Sequence, residues 1–225
     1  MPTFPRQKFR DRVHAGRLLA DELAREPDLE NAIVLGLPRG GVPIAAEVAL
    51  LLGLPLDVLN VRKLPHPWQP ELAIGAIASG GAVVLNPEVV QTLDRPESTI
   101  EEAIATQRVE LDRREKLYRG KRPMPSLAGR TVILVDDGVA TGATVLSAIE
   151  AVRQHLAKQV LVAVPVAPLE VYAKLEEKAD HCVCLLRPDQ FTAVSVWYDD
   201  FSEVQDAQVR RLLDQSAKRF HEHSA

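Results

Sequence analysis

Four apolar residues, Val132 to Val135, run without interruption into two adjacent carboxylates, Asp136 and Asp137, and then into Gly-Val-Ala-Thr-Gly-Ala-Thr from Gly138 to Thr144. An apolar run with no polar alternation suits a strand buried on both faces, as in a parallel sheet. Beyond the small residues, Val145, Ile149, Val152 and Leu156 recur at helical spacing. The order is therefore strand, acidic turn, small-residue loop, helix, which commits the chain to an α/β architecture.

A loop of that composition leaves backbone N–H groups free to converge at a helix N-terminus, where the dipole favours an anion and no bulky side chain blocks a phosphate. The hydroxyls of Thr141 and Thr144 can add hydrogen bonds. Two carboxylates would repel that same phosphate, so Asp136 and Asp137 must address another part of the ligand: vicinal hydroxyls, a divalent cation or a developing positive charge. A phosphorylated sugar offers all three.

A second strand, within Asn31 to Gly36, feeds Leu37-Pro38-Arg39-Gly40-Gly41-Val42-Pro43 and then a helix through about Leu52. This is another small-residue loop between strand and helix, and its one cation suits a second anion near the first.

On these residues the chain resembles the type I phosphoribosyltransferase family, whose signature is an apolar strand, two acidic residues and a small Thr/Gly loop. The resemblance implies a parallel-sheet core flanked by helices and a site for phosphoribosyl pyrophosphate. Asp136 and Asp137 would take the ribose hydroxyls, and Gly138, Val139, Ala140, Thr141, Gly142, Ala143 and Thr144 would surround the 5′-phosphate. Pro38, Arg39, Gly40 and Gly41 would hold the pyrophosphate, with Arg39 standing where the family often has Lys. The family often carries a strained peptide in that loop, which places it here within residues 38 to 40. Gly138 departs from the branched apolar residue common in the family. Mg²⁺ would enter through the substrate and water near Asp136 and Asp137, with no ion held by the protein directly, and a homodimer is implied.

Leu56 to Val61 reads as a third strand ending at Arg62 and Lys63, two cations that could reach the pyrophosphate or stand as solvated strand-end charges. Leu64 to Glu71 holds Pro65, Pro67 and Pro70 and reads as an exposed loop, with His66 and Trp68 on the surface. Ala73 to Ile77 and Ala82 to Leu85 form a hairpin about Ser79-Gly80-Gly81. Loop and hairpin, about residues 62–86, resemble the family's hood, which closes over substrate and excludes water.

The other segments read as scaffold. Asp11 caps a helix through about Glu26 with Val13, Leu19 and Leu23 inward and His14 at the surface. Ser98 and Glu101 form a capping box for a helix to about Tyr118, whose mixed charges pair within it. Arg119 to Arg122 is a basic linker. Val160 to Val164 is a strand, Pro168 starts a helix to about Lys178, and Cys182 to Leu186 is a strand placing both cysteines on one face as small buried thiols. From 191 a C-terminal extension begins. Phe191, Trp197 and Tyr198 either stack on an acceptor base, as the resemblance implies, or pack a final helix that starts near Glu203. That helix turns Val209, Leu212 and Leu213 inward, and His221 and His223 belong to its tail.

With 225 residues, one domain spanning 1–225 with an appended hood is expected. A net charge of −4 gives no general attraction to nucleic acid or anionic membrane, and nothing resembling a helix-turn-helix is appended. Met1 to Arg12 lacks an apolar run, so neither signal peptide nor membrane span is expected, and the expected location is cytoplasmic. The reading is of an enzyme of nucleotide and nucleoside metabolism. It moves a 5-phosphoribosyl group from phosphoribosyl pyrophosphate to a nitrogen acceptor, a nucleobase by class, and releases pyrophosphate. Asp136, Asp137 and Arg39 carry that chemistry. The rival is a regulatory protein that binds phosphoribosyl pyrophosphate or a nucleotide without transfer. A sugar-phosphate hydrolase lacks a dedicated nucleophile.

Overall fold

The computed structural model describes residues 8–223, with side chains through Phe220. Met1 to Gln7 and the side chains of His221 and His223 lie outside the described residues. In chain order the elements are α1 (Arg12–Leu23), β1 (Ala32–Gly36), α2 (Gly41–Leu52), β2 (Leu56–Val58), β3 (Val61–Pro65), β4 (Ala73–Ala78), β5 (Val83–Leu85), α3 (Pro87–Val90) and α4 (Pro96–Arg119). Then follow β6 (Thr131–Val135), α5 (Ala143–Gln154), β7 (Gln159–Val166), α6 (Leu169–Lys178), β8 (His181–Leu186) and α7 (Asp206–His223).

Five strands form one parallel sheet in the order β2-β1-β6-β7-β8. Its central strands are buried on both faces, as unbroken apolar runs require. Alternation along them sorts the core. Ile33, Leu35, Val132, Leu134, Val160, Val162 and Val164 pack with α5 and α6, while Val34, Ile133, Val135, Leu161 and Ala163 pack with α1 and α2. At the β2 edge, Val42, Val58, Tyr118, Val209 and Leu213 join α2, α4 and α7. Gly36 pairs with Val135, so β1 and β6 end side by side and their loops emerge together.

The single strand expected over Leu56 to Val61 is divided between two sheets. The Leu59 amide still donates to Gly36 O at 3.1 Å, but the Ser79 amide donates to Asn60 O and the Asn60 amide to Ser79 Oγ, which turns the chain into a separate antiparallel sheet, β3-β4-β5. Hydropathy cannot show that break, because both halves are apolar. Pro65 closes β3, an edge strand, where a missing N–H costs least. Leu64, Ile74 and Ile77 cover Leu111 of α4 and give this appendage its own small core. His66, expected at the surface, is buried. Its amide donates to Leu72 O and its Nδ1 accepts from the Trp68 amide, which folds the loop on itself and leaves Trp68 83% exposed.

Three further differences have local causes. Helix α4 starts at Pro96, whose fixed φ suits the first helical position, and Ser98 Oγ donates to Arg95 O instead of capping. Arg119 is no linker residue. It is buried, bonded to Asp57 at 3.0 Å and to Val58 O, with Glu115 at 3.2 Å. In α1, Asp11 caps as expected, with Leu19 and Leu23 buried, but Val13 is exposed. Cys182 and Cys184 are free thiols pushed up by burial to about 12 and about 11. No helix among the described residues is long and apolar enough to cross a membrane.

Candidate active site

The loop after β1 and the turn after β6 touch because glycine lines the contact. A Cβ at Gly40 would stand 1.8 Å from Asp137 Oδ2, and one at Gly41 would stand 2.4 Å from Val135 O. Any larger residue would force the anion loop off the acidic turn. Leu37 N donates to Val135 O at 2.8 Å, which continues the pairing past β1, and Gly41 N donates to Leu37 O at 3.0 Å as α2 begins. The Pro38–Arg39 peptide is cis and falls within the segment in which the resemblance places an unusual peptide.

Behind the carboxylates, Val139 is buried and its amide donates to Val166 O at 2.9 Å, anchoring the loop to β7. Gly138 has φ +155°, and a Cβ there would stand 2.6 Å from Val194 Cγ1. The space a side chain at this position would need is taken by Val194 and Val166. Gly142, at φ +82°, leads into α5. Ala140, Thr141, Ala143 and Thr144 are exposed, and among the described residues the amides of 140–144 meet no acceptor. Open amides at the start of a helix suit a phosphate.

Asp136 and Asp137 are half-buried. Asp136 Oδ1 accepts from the Asp137 amide at 2.8 Å. Asp137 Oδ2 accepts from both Nε and Nη2 of Arg12, at 3.0 and 2.7 Å, and its carbonyl accepts from Tyr198 Oη at 2.6 Å. Burial, and then repulsion from Asp137, raises the Asp136 carboxyl well above the ordinary carboxylate range. Burial also raises Asp137, but Arg12 opposes it. Two oxygens of the pair, Asp136 Oδ2 and Asp137 Oδ1, accept no hydrogen bond among the described residues, so one acceptor on each carboxylate is left for a ligand.

Not every expected residue meets here. Arg39 Nη2 donates to Glu203 Oε1 at 2.6 Å. Arg62 lies within β3 and gives two bonds to Gln107 of α4, and Lys63 is exposed; neither contacts the acidic turn. The stacking role for Trp197 and Tyr198 is corrected. They are 6% and 4% exposed and pack in the core with Phe9, leaving no free ring face, while Phe191 is half-buried against the same cluster. Arg12 does not stand out in the sequence because its helix reads as pure packing. One signal does mark it: a cation in the first turn opposes the helix dipole and calls for a compensating acid elsewhere.

A sequence model of the phosphoribosyl transferase domain matches residues 11–201, from the cap of α1 to Phe201. Proteins from two strains of Mycobacterium tuberculosis, whose names assign them provisionally to the phosphoribosyl transferases, are 44% identical over 217 residues. The match covers 96% of this chain but 49% of those relatives, so the chain spans about half their length. The crystal structure of a Thermus thermophilus protein aligns with a TM-score of 0.84 at 47% identity, over 92% of this chain and 98% of that one. With the domain match running through both loops and the parallel sheet that presents them, the chain belongs to the type I phosphoribosyltransferase family.

Proposed function

We propose that the chain binds phosphoribosyl pyrophosphate and transfers its 5-phosphoribosyl group to a nitrogen acceptor, a nucleobase by class, releasing pyrophosphate. One observation carries the reading: an acidic pair with one unoccupied oxygen on each carboxylate stands between an open amide loop and a glycine-lined loop, at the ends of adjacent parallel strands. Ligands of such sheets sit at the strands' carboxyl ends.

In this reading Asp136 Oδ2 and Asp137 Oδ1 accept from the two vicinal ribose hydroxyls. The amides of 140–144, with Thr141 and Thr144, hold the 5′-phosphate, and residues 38–41 face the pyrophosphate. As the C1–oxygen bond breaks, positive charge grows on the ribose beside the carboxylates. Their attraction is stronger in the transition state than in the ground state, which lowers the barrier. Arg39 reaches the pyrophosphate by exchanging Glu203, an exposed partner, for a phosphate oxygen.

Among the described residues no group of three His, Cys, Asp or Glu side chains could hold a metal. Substrate oxygens and water beside the two carboxylates do fit Mg²⁺, which keeps several waters and uses few protein ligands. Charge neutralisation of the departing pyrophosphate is the chemistry the ion supplies when bound.

Calorimetry with phosphoribosyl pyrophosphate and Mg²⁺, followed by pyrophosphate release against a panel of bases, tests the reading. Binding together with release is expected for at least one base. Binding without release under every base would favour the regulatory alternative, and no binding would remove both.

A further inference from the structure

Arg12 is held more completely than a surface arginine of α1 needs to be. Nε and Nη2 both reach Asp137 Oδ2, Nη1 donates to Ser202 O at 2.8 Å, and the guanidinium lies 3.9 Å from the centre of the Phe201 ring. Its side chain is 11% exposed and that of Asp137 15%. Among the described residues it is the one cation bonded to the acidic pair. Every nitrogen of the fork is committed, so Asp137 has one angular setting compatible with all these bonds.

The consequence reaches the ligand. With Oδ2 saturated, Asp137 can offer an incoming hydroxyl only Oδ1. Asp136, whose Oδ1 is taken by the Asp137 amide, can offer only Oδ2. Arg12 thus selects which Asp137 oxygen faces the diol, as the Asp137 amide does for Asp136. Its charge also opposes the burial that raises the Asp137 carboxyl.

We propose that Arg12 is a positioning residue of the phosphoribosyl site: it touches no reacting atom, but fixes Asp137 so that the two carboxylates present one acceptor each to the diol. The inference rests on the donor-binding reading above. A merely structural Arg12 would tie α1 to the segment 198–203 and leave the diol receptor unchanged.

The test compares the wild-type chain with Arg12→Gln and Arg12→Lys, using calorimetry with phosphoribosyl pyrophosphate and Mg²⁺ and a second titration with inorganic phosphate. Losing a charged, two-point hydrogen bond should weaken donor binding about tenfold or more in Arg12→Gln. Phosphate, which needs only the amide loop, should bind it as it binds wild type. Arg12→Lys, which keeps the charge and loses the fork, should fall between. In an Asp137→Asn background the Arg12→Gln change should cost far less, since its partner is already altered. If Arg12→Gln does not fold, Arg12→Lys carries the test, with a loss of donor but not phosphate affinity expected. Wild-type donor binding with unchanged affinity in both variants would overturn this role and leave the functional reading standing. Equal losses for donor and phosphate would also overturn it, by showing general disruption. Absence of donor binding in wild type would overturn the reading and this role together.

Discussion

Asp136 carries the electrostatic cost of the site. Its carboxyl is raised by burial and by Asp137, so between the ordinary carboxylate range and its raised value the folded state binds more protons than the unfolded state. Stability therefore falls as pH rises through that window. Asp136→Asn keeps the Oδ1 that accepts the Asp137 amide and removes the charge. It should melt higher than wild type at neutral pH, by about 2–4 °C if roughly 1 kcal/mol is relieved in a chain of this size. The gain should vanish below the ordinary carboxylate range, and melting curves across pH would check it. Gly40→Ala is expected to have the opposite effect: the added methyl meets Asp137 Oδ2, so donor affinity should drop and stability should fall by about 1–3 kcal/mol, read by calorimetry and urea titration. Much at this scale is legible in the sequence. Two acids followed by glycines and threonines, and Arg39-Gly40-Gly41, mark by residue type the two loops that meet at the ends of β6 and β1. Arg12 and the burial of Trp197 and Tyr198 are not legible, because each depends on which distant segment arrives beside it.

Helix α4 shows how an element can read correctly and still hide its main contact. The surface pairing expected from its mixed charges is present, with Glu110 between Arg113 and Arg114 and its carboxyl lowered to about 2 by those bonds. Such exposed pairs contribute little. Arg119 matters more, because it bonds β2 through Asp57 and has Glu115 beside it; burial raises the Asp57 carboxyl even with Arg119 at its side. Arg119→Leu should destabilise by about 3–5 kcal/mol, since it strands buried acid, and adding Asp57→Leu should recover part of that loss in urea midpoints. Strand and helix positions in the core follow from hydropathy alone. The division at Asn60 does not, because apolar residues on either side of a turn look the same whichever sheet they join.

For the molecule as a whole, the β3-β4-β5 appendage has its own core against α4, separate from the clusters that line the parallel sheet. Leu111→Ala should cost about 2–5 kcal/mol and act locally. Hydrogen exchange is expected to quicken in β3 to β5 while β1, β6 and β7 keep their protection. The parallel sheet itself is tied at a different place. Phe9 pairs with Tyr198, with bonds from Phe9 N to Trp197 O, Asp199 N to Phe9 O and Asp200 N to Arg10 O, each at 2.9 Å. Arg12 and Tyr198, the two residues that brace Asp137, stand just beyond those bonds from opposite directions. The turn therefore takes its final setting from segments 125 positions before it and 61 positions after it, and neither brace can form from local sequence alone.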